Sequence, residues 1–156
     1  MTLSVGVVGG GLIAQAMHLP YLAEKRDRFT IAALAEPSRT VREALGARYG
    51  IRALHEDYRG LLGEVDALVV CSPAGTHAEI VLAGLEAGLH VFVEKPMCIT
   101  LRDAEAIVAA RDRAARVVQV GTMKRYDPAY ERMLGELPGL DDPRPQRRAR
   151  AARTSR

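Results

Sequence analysis

Two groups of residues in this 156-residue chain have types and spacings that could do chemistry. The first is Gly9, Gly11 and Ala14, which follow the apolar run Leu3 to Val8 and match the dinucleotide fingerprint G-x-G-x-x-G/A. Each small residue has a physical task. Gly9 permits a tight turn, and Gly11 lets the backbone approach a pyrophosphate. Ala14 keeps the following helix close to the sheet. Leu12 and Ile13 complete the turn, where free N–H groups and the helix dipole face an anion. The second group is Glu94, Lys95 and Pro96, directly after the apolar run His90 to Val93. A lysine ammonium is a compact, mobile charge that could orient a substrate hydroxyl beside a nicotinamide and assist proton transfer. A cis bond at Pro96 would fix the direction of that lysine. From local sequence alone, Glu94 and Lys95 read equally well as solvated charges after a strand.

A glycine string is weak evidence by itself, because such turns are common punctuation between strand and helix. Its context strengthens it. A second apolar run, Thr30 to Ala35, ends at Glu36, about twenty residues beyond the fingerprint, where a βαβ unit places an acid that accepts from the adenosine ribose hydroxyls. The plainer reading of Glu36 is a solvated charge in a strand-to-helix loop, and the register of strand, turn, helix, strand and acid favours the ribose role. An acid here disfavours a 2′-phosphate, so NAD is expected over NADP. Arg39 works against that preference, since it could pair with a phosphate or stack on adenine. His77 reads as a helix-start residue near the cofactor rather than a base. His18, His55 and His90 show no metal-ligand spacing with one another or with Cys71 and Cys98, so no metal is expected. No G-x-S-x-G elbow is present, which argues against a serine hydrolase.

These residues need elements to hold them, and apolar runs alternate with helical patterns along the chain. The first helix is expected from Gly11 toward Lys25, kinked or interrupted by Pro20. A second covers about Ser38 to Arg48, and a short strand lies near Ile51 to Leu54. Val65 to Cys71 reads as a buried strand. After the turn Ser72-Pro73-Ala74-Gly75, Thr76-His77-Ala78-Glu79 reads as a capping box opening a helix to Gly88. His90 to Val93 and Val117 to Val120 read as strands, separated by a helix opened by Thr100-Leu101-Arg102-Asp103. Asp127-Pro128 supplies an N-cap and first-turn proline for a helix through about Leu134. This alternation predicts an α/β fold, a single Rossmann domain with a doubly wound parallel sheet. Ligands in such folds bind beyond the carboxyl ends of the strands. Those ends are Gly9 to Leu12, Glu36, Cys71 to Pro73, Glu94 to Pro96, and Gly121 onward, which makes Cys71, Ser72 and Pro73 further cofactor-binding candidates.

Composition narrows the class. The length is that of one domain, and two cysteines are too few for a disulfide framework, which points to a reducing compartment. The stretch from Met1 to Leu22 is uncharged, and Ala14-Gln15-Ala16 mimics a signal cleavage site. However, no basic segment precedes it, and three consecutive glycines break the apolar run. No uncharged apolar stretch reaches membrane-span length without glycine. A cytoplasmic location without membrane association is therefore expected. Residues 141–156 hold six arginines and two aspartates, leaving 16 basic and 17 acidic residues in 1–140. The body is near neutral, and the Arg-rich end lacks aromatics and apolar periodicity, so it reads as a disordered tail rather than a nucleic-acid surface. An interaction protein working through that tail is the weakest of the functional readings.

Together these segments resemble a known family. VGVVGGGLIA, the acid in LAEPSR, CSPAGTHAEI, GLEAGLHVFVEKP and GTMKRYDPAY follow, in order and spacing, the pattern of the Gfo/Idh/MocA oxidoreductases, over about residues 3–136. The resemblance implies an NAD(P)-binding Rossmann domain over 1–123, with Glu94, Lys95 and Pro96 beside the nicotinamide and Lys95 as the catalytic lysine. It implies that Lys124 and Arg125, where residues 124–140 begin a connection to a second domain, lie near cofactor and substrate. It also implies hydride transfer on a sugar, inositol or related polyol. Members of the family continue into an α/β substrate domain, whereas here the sequence turns to an Arg/Ala/Pro tail. The expectation is a truncated or frameshifted oxidoreductase that binds the dinucleotide with little or no turnover. The alternative is a stand-alone NAD(H) module or a subunit completed in trans. A polyol substrate is expected only where a second domain is supplied, and an uncovered apolar sheet face would favour self-association.

Overall fold

The computed structural model describes residues 2–135. Six parallel strands form one sheet: β1 (Leu3–Val8), β2 (Phe29–Ala35), β3 (Ala53–His55), β4 (Ala67–Val70), β5 (His90–Val93) and β6 (Val118–Val120), in the order β3-β2-β1-β4-β5-β6. Four helices lie between them: α1 (Leu19–Glu24), α2 (Arg39–Tyr49), α3 (His77–Glu86) and α4 (Leu101–Ala114). Chain order reverses beside β1, which pairs with β2 on one edge and β4 on the other. That reversal opens a crevice at the carboxyl end of the sheet, the position where open α/β sheets bind ligands.

The apolar runs are continuous because the sheet is buried on both faces. Along β4, Leu68 and Val70 join Ile80, Val81 and Leu85 of α3 and Ile107 of α4 in one cluster. Val69 and Cys71 point to the opposite face and join Val5, Val7, Leu34, Leu19 and Leu45. Leu68 is fully buried, and a Cβ placed on Gly84 would stand 2.7 Å from its Cδ1. Glycine at 84 is therefore what lets α3 seat on the strand. Leu68→Ala is expected to lower the unfolding free energy by about 2–5 kcal/mol, read as a shift of the urea midpoint without a change of slope.

The expected β/α alternation is present, with three local differences. Pro20 does not kink an α-helix. Residues 14–18 instead form a π-turn (Ala14–His18), in which the Leu19 N–H donates to the Ala14 carbonyl. Proline has no N–H to continue the α-helical ladder, and widening by one residue accommodates the missing donor. The capping box at Thr76 does not form. The Thr76 hydroxyl lies 2.8 Å from both Ser72 Oγ and the Pro73 carbonyl, and no side chain caps the helix. A short 3-10 turn, Ala74–Thr76, leads into α3 instead. Glu79, the intended partner, accepts from the Tyr58 hydroxyl (2.8 Å) and from Arg59. Burial, with Glu79 alongside, pushes the Tyr58 phenol up to about 12. Thr100 does cap its helix, accepting from the Asp103 N–H at 3.1 Å. Strands β3 and β4 start later than their apolar runs, at Ala53 and Ala67.

Residues up to Gly121 form one compact unit, and a second begins at Thr122, two residues before the start at 124 expected from the sequence. Within the second unit Asp127 Oδ1 accepts from the Ala129 N–H (3.0 Å), capping the helix α5 (Pro128–Gly135). That bond and Lys124, 3.3 Å away, hold the Asp127 carboxyl below the usual range. The connection beyond Gly135 and the tail at 141–156 lie outside the described residues. No helix among the described residues is long and apolar enough to cross a membrane.

Candidate functional site

The glycine turn, the end of β2, the end of β4 and the segment after β5 all open on the carboxyl edge of the sheet. Gly9 adopts φ +93°, a conformation that L side chains rarely enter. A Cβ there would lie 2.8 Å from the Ser72 nitrogen and 2.9 Å from the Cys71 carbonyl. The two loops at the switch point are therefore packed backbone to backbone, and only glycine fits between them. Gly11 is the reverse case: a Cβ would meet nothing within 4 Å. The space beside it is open, and Leu12, next along, is 85% exposed. Ala14 is fully buried against the sheet, while Ile13 is half-buried.

Glu36 leaves β2 with its carboxylate turned back on the glycine turn. Oε2 accepts from the Gly10 N–H at 2.7 Å, and Oε1 accepts from the Ser38 N–H at 2.9 Å. A carboxylate accepts about four hydrogen bonds, so each oxygen keeps a lone pair for an incoming hydroxyl. Arg42 donates to the carbonyls of Glu36 and Pro37, bracing the same loop from the first turns of α2. Arg39 is exposed and pairs with Glu43 at 2.7 Å, four residues along its own helix.

On the other side of the crevice the Lys95–Pro96 peptide is cis, as the sequence reading anticipated, and Lys95 and Pro96 are exposed. Glu94 is not a solvated charge. Its Oε1 lies 2.8 Å from His18 Nε2, with side-chain exposures of 13% and 19%. His77 lies under the edge, 1% exposed, with Nδ1 2.8 Å from the Pro96 carbonyl and Nε2 2.7 Å from the Ser72 carbonyl. Both of its nitrogens are engaged by the protein, so it supports the edge rather than opening onto it. Ser72 is half-buried and Pro73 exposed at the same rim.

Cys71 is buried, and burial, reinforced by Glu94, pushes its thiol up to about 12. A thiol held protonated in an apolar setting is a poor nucleophile. Alkylation of the native protein is therefore expected to label Cys98, which is partly exposed, and to reach Cys71 only in denaturant, as peptide mass mapping would show. Among the described residues no cluster of His, Cys, Asp or Glu could hold a metal ion.

Sequence reasoning brought Gly9, Gly11, Leu12, Ile13, Glu36, Cys71, Ser72, Pro73, Glu94, Lys95 and Pro96 to one edge, and the first unit has them there. Lys124 and Arg125 lie in the second unit, in the turn Met123–Tyr126. The contributions of His18, Gly10 and Arg42 were missed. His18 and Glu94 are separated by 76 residues, and nothing in local spacing could have paired them.

A cradle only glycine can line, open space beside the next glycine, and an acid bound to the turn suit a pyrophosphate flanked by a ribose. This is the dinucleotide-binding class of Rossmann domain. Its family follows from comparison with known proteins. The oxidoreductase family with an NAD-binding Rossmann fold, Gfo/Idh/MocA, matches residues 3–122, and the chain belongs to it. It is 41% identical over 134 residues to an inositol 2-dehydrogenase of Paracoccus denitrificans, covering 83% of this chain and 40% of that protein. The fold is similar to scyllo-inositol dehydrogenase from Lactobacillus casei with bound NAD(H) and scyllo-inositol, at TM-score 0.80 and 26% identity, covering 85% of this chain and 40% of that one. It is equally similar, at TM-score 0.80 and 30% identity, to a 3-ketoreductase from Actinomadura kijaniata in complex with NADP, covering 87% and 44%. The chain thus spans about 40% of the length of these relatives.

Proposed function

We propose that this chain is the dinucleotide-binding part of an oxidoreductase that moves a hydride to or from a hydroxyl-bearing carbon of a polyol, with inositols the first candidates. The observation that supports it most is the exposure of Lys95 on the same sheet edge as the glycine turn and Glu36. In this reading Gly9 to Ile13 hold the pyrophosphate and Glu36 the ribose hydroxyls. Ser72 and Pro73 line the rim toward the nicotinamide, which when bound supplies the hydride acceptor or donor. Lys95 Nζ hydrogen-bonds the substrate oxygen and exchanges a proton with it. Lys124 and Arg125 are assigned to cofactor and substrate on family resemblance alone.

NAD is the expected cofactor. Glu36 would stand against a 2′-phosphate, and the Arg39 guanidinium is paired with Glu43. Calorimetry is expected to give at least about tenfold tighter binding of NAD than NADP, a difference near 1.4 kcal/mol. Absence of binding to either would remove the proposal. Lys95→Met is expected to leave NADH affinity within about threefold. In a polyol dehydrogenase assay it should lower kcat by about 10²–10⁴-fold, the size of a lost general acid–base.

The 40% coverage of the relatives favours a second reading, in which substrate contacts come from another domain or subunit. A panel of polyols tested on this chain bears on the two, since turnover by this chain alone fits only the first. The frameshift origin read from the Arg-rich tail is tested by translating the neighbouring frames downstream. Self-association belongs to the same proposal, because exposed Tyr21 and Val117 border an apolar cleft on the sheet face. Sedimentation across a dilution series would detect it.

A further inference from the structure

Lys95 is exposed, and the direction of its segment is set by its two neighbours. Glu94, before it, is tied by its carboxylate to His18 on the helical segment that starts at the glycine turn. Pro96, after it, is tied by its carbonyl to His77 at the start of α3. We propose that His18 and His77 form a two-sided clamp that positions Lys95, so that both are positioning residues for the reaction. The inference rests on the reading of Lys95 as the reacting lysine.

The chemistry of each half is specific. Carbonyl and carboxylate oxygens accept and cannot donate. His77 faces two carbonyls, Pro96 on the lysine segment and Ser72 on the loop packed against Gly9. Bonding both at once therefore requires an N–H on each ring nitrogen, whereas a ring with one N–H holds only one loop. His18 donates through Nε2 to Glu94 Oε1, and the other carboxylate oxygen accepts from the Lys95 N–H at 3.1 Å. The His18 ring is also set by an edge contact on Phe92 of β5, with centroids 5.1 Å apart. Gly121 closes the far side, where a Cβ would stand 3.1 Å from Glu94 Oε1 and 3.0 Å from Phe92 Cζ. The helical segment that begins at the glycine turn and the loop beneath Gly9 thus each reach the Lys95 segment through one histidine.

The test uses the full chain without dinucleotide. In the wild type, 15N-imidazole spectra are expected to show two slowly exchanging ring N–H signals for His77; a single one overturns its half of the clamp. Amide hydrogen exchange is then compared in His18→Leu and His77→Gln. The amides of Lys95 and Met97 are expected to exchange roughly tenfold or more faster, the scale of a lost buried hydrogen bond, while Leu68, Val69 and Val91 stay within about twofold. His18→Gln, which keeps a donor, is expected to recover part of the protection that His18→Leu loses. Uniform acceleration through the sheet, or unchanged exchange at 95 and 97, overturns the proposal. None of these readouts involves NADH, so failure of NADH to bind would remove the functional reading and leave the clamp measured on its own terms.

Discussion

Gly9→Ala is expected to lower the unfolding free energy by about 3 kcal/mol or more, and Gly11→Val to leave stability nearly unchanged while abolishing dinucleotide binding. The two glycines belong to one motif, yet the structure gives them opposite tasks. At position 9 the added methyl meets backbone, 2.8 Å from the Ser72 nitrogen and 2.9 Å from the Cys71 carbonyl carbon, at φ +93°. Backbone cannot swing aside as the end of a side chain can, so the strain must separate β1 from the β4 loop. At position 11 the side chain enters empty space at the exposed start of a helical turn. Its cost appears only when an anion needs that space and the N–H groups behind it. Urea unfolding and NADH fluorescence titration, run on both variants, separate the effects. A destabilised Gly11→Val protein, or one that binds NADH within threefold of wild type, would refute this division of labour.

Glu36→Gln is expected to weaken NADH binding by about 10- to 100-fold, equivalent to one or two charge-assisted hydrogen bonds. It should also narrow the preference for NAD over NADP. Glutamine is nearly isosteric but presents one oxygen where Glu36 presents two. Its amide must turn an N–H toward either the Gly10 N–H or the Ser38 N–H, both of which now donate to the carboxylate. The glycine turn thus loses part of its anchor while the ribose loses its acceptor. Removing the negative charge also removes the repulsion toward a 2′-phosphate, with Arg39 close by in sequence at the start of α2. Calorimetry with both dinucleotides decides the point; an unchanged NAD affinity would place the ribose elsewhere.

Much of the site was legible in the chain because a dinucleotide turn is encoded locally. The Gly9-x-Gly11-x-x-Ala14 spacing, the acid after the second strand and the proline after Lys95 each sit within a few residues of the element that presents them. Strand and helix order followed from the same short-range patterns, and β5 runs over His90–Val93 as read. Local pattern misled where a tertiary partner outbid it. Thr76 and Glu79 have capping-box spacing, but Ser72 and the Pro73 carbonyl take the hydroxyl while Tyr58 and Arg59 take the carboxylate. Pro20 announced an interruption, but not that a π-turn would supply it.

The sequence by itself determined that this is a Rossmann domain of the Gfo/Idh/MocA oxidoreductases and which residues reach its carboxyl edge. These properties depend on spacings of a few residues and on the two-residue and near-four-residue periods of strand and helix. Only the tertiary structure decided how the edge is held. It showed that Gly9 is squeezed by the β4 loop, that Glu36 is anchored to the glycine turn, and that Glu94 and Pro96, on either side of Lys95, each bond a histidine from a different helical segment. Those contacts join residues 19 to 76 positions apart. Such pairs meet only because the parallel order β2-β1-β4-β5 brings the carboxyl ends of these strands side by side, and no local pattern encodes them.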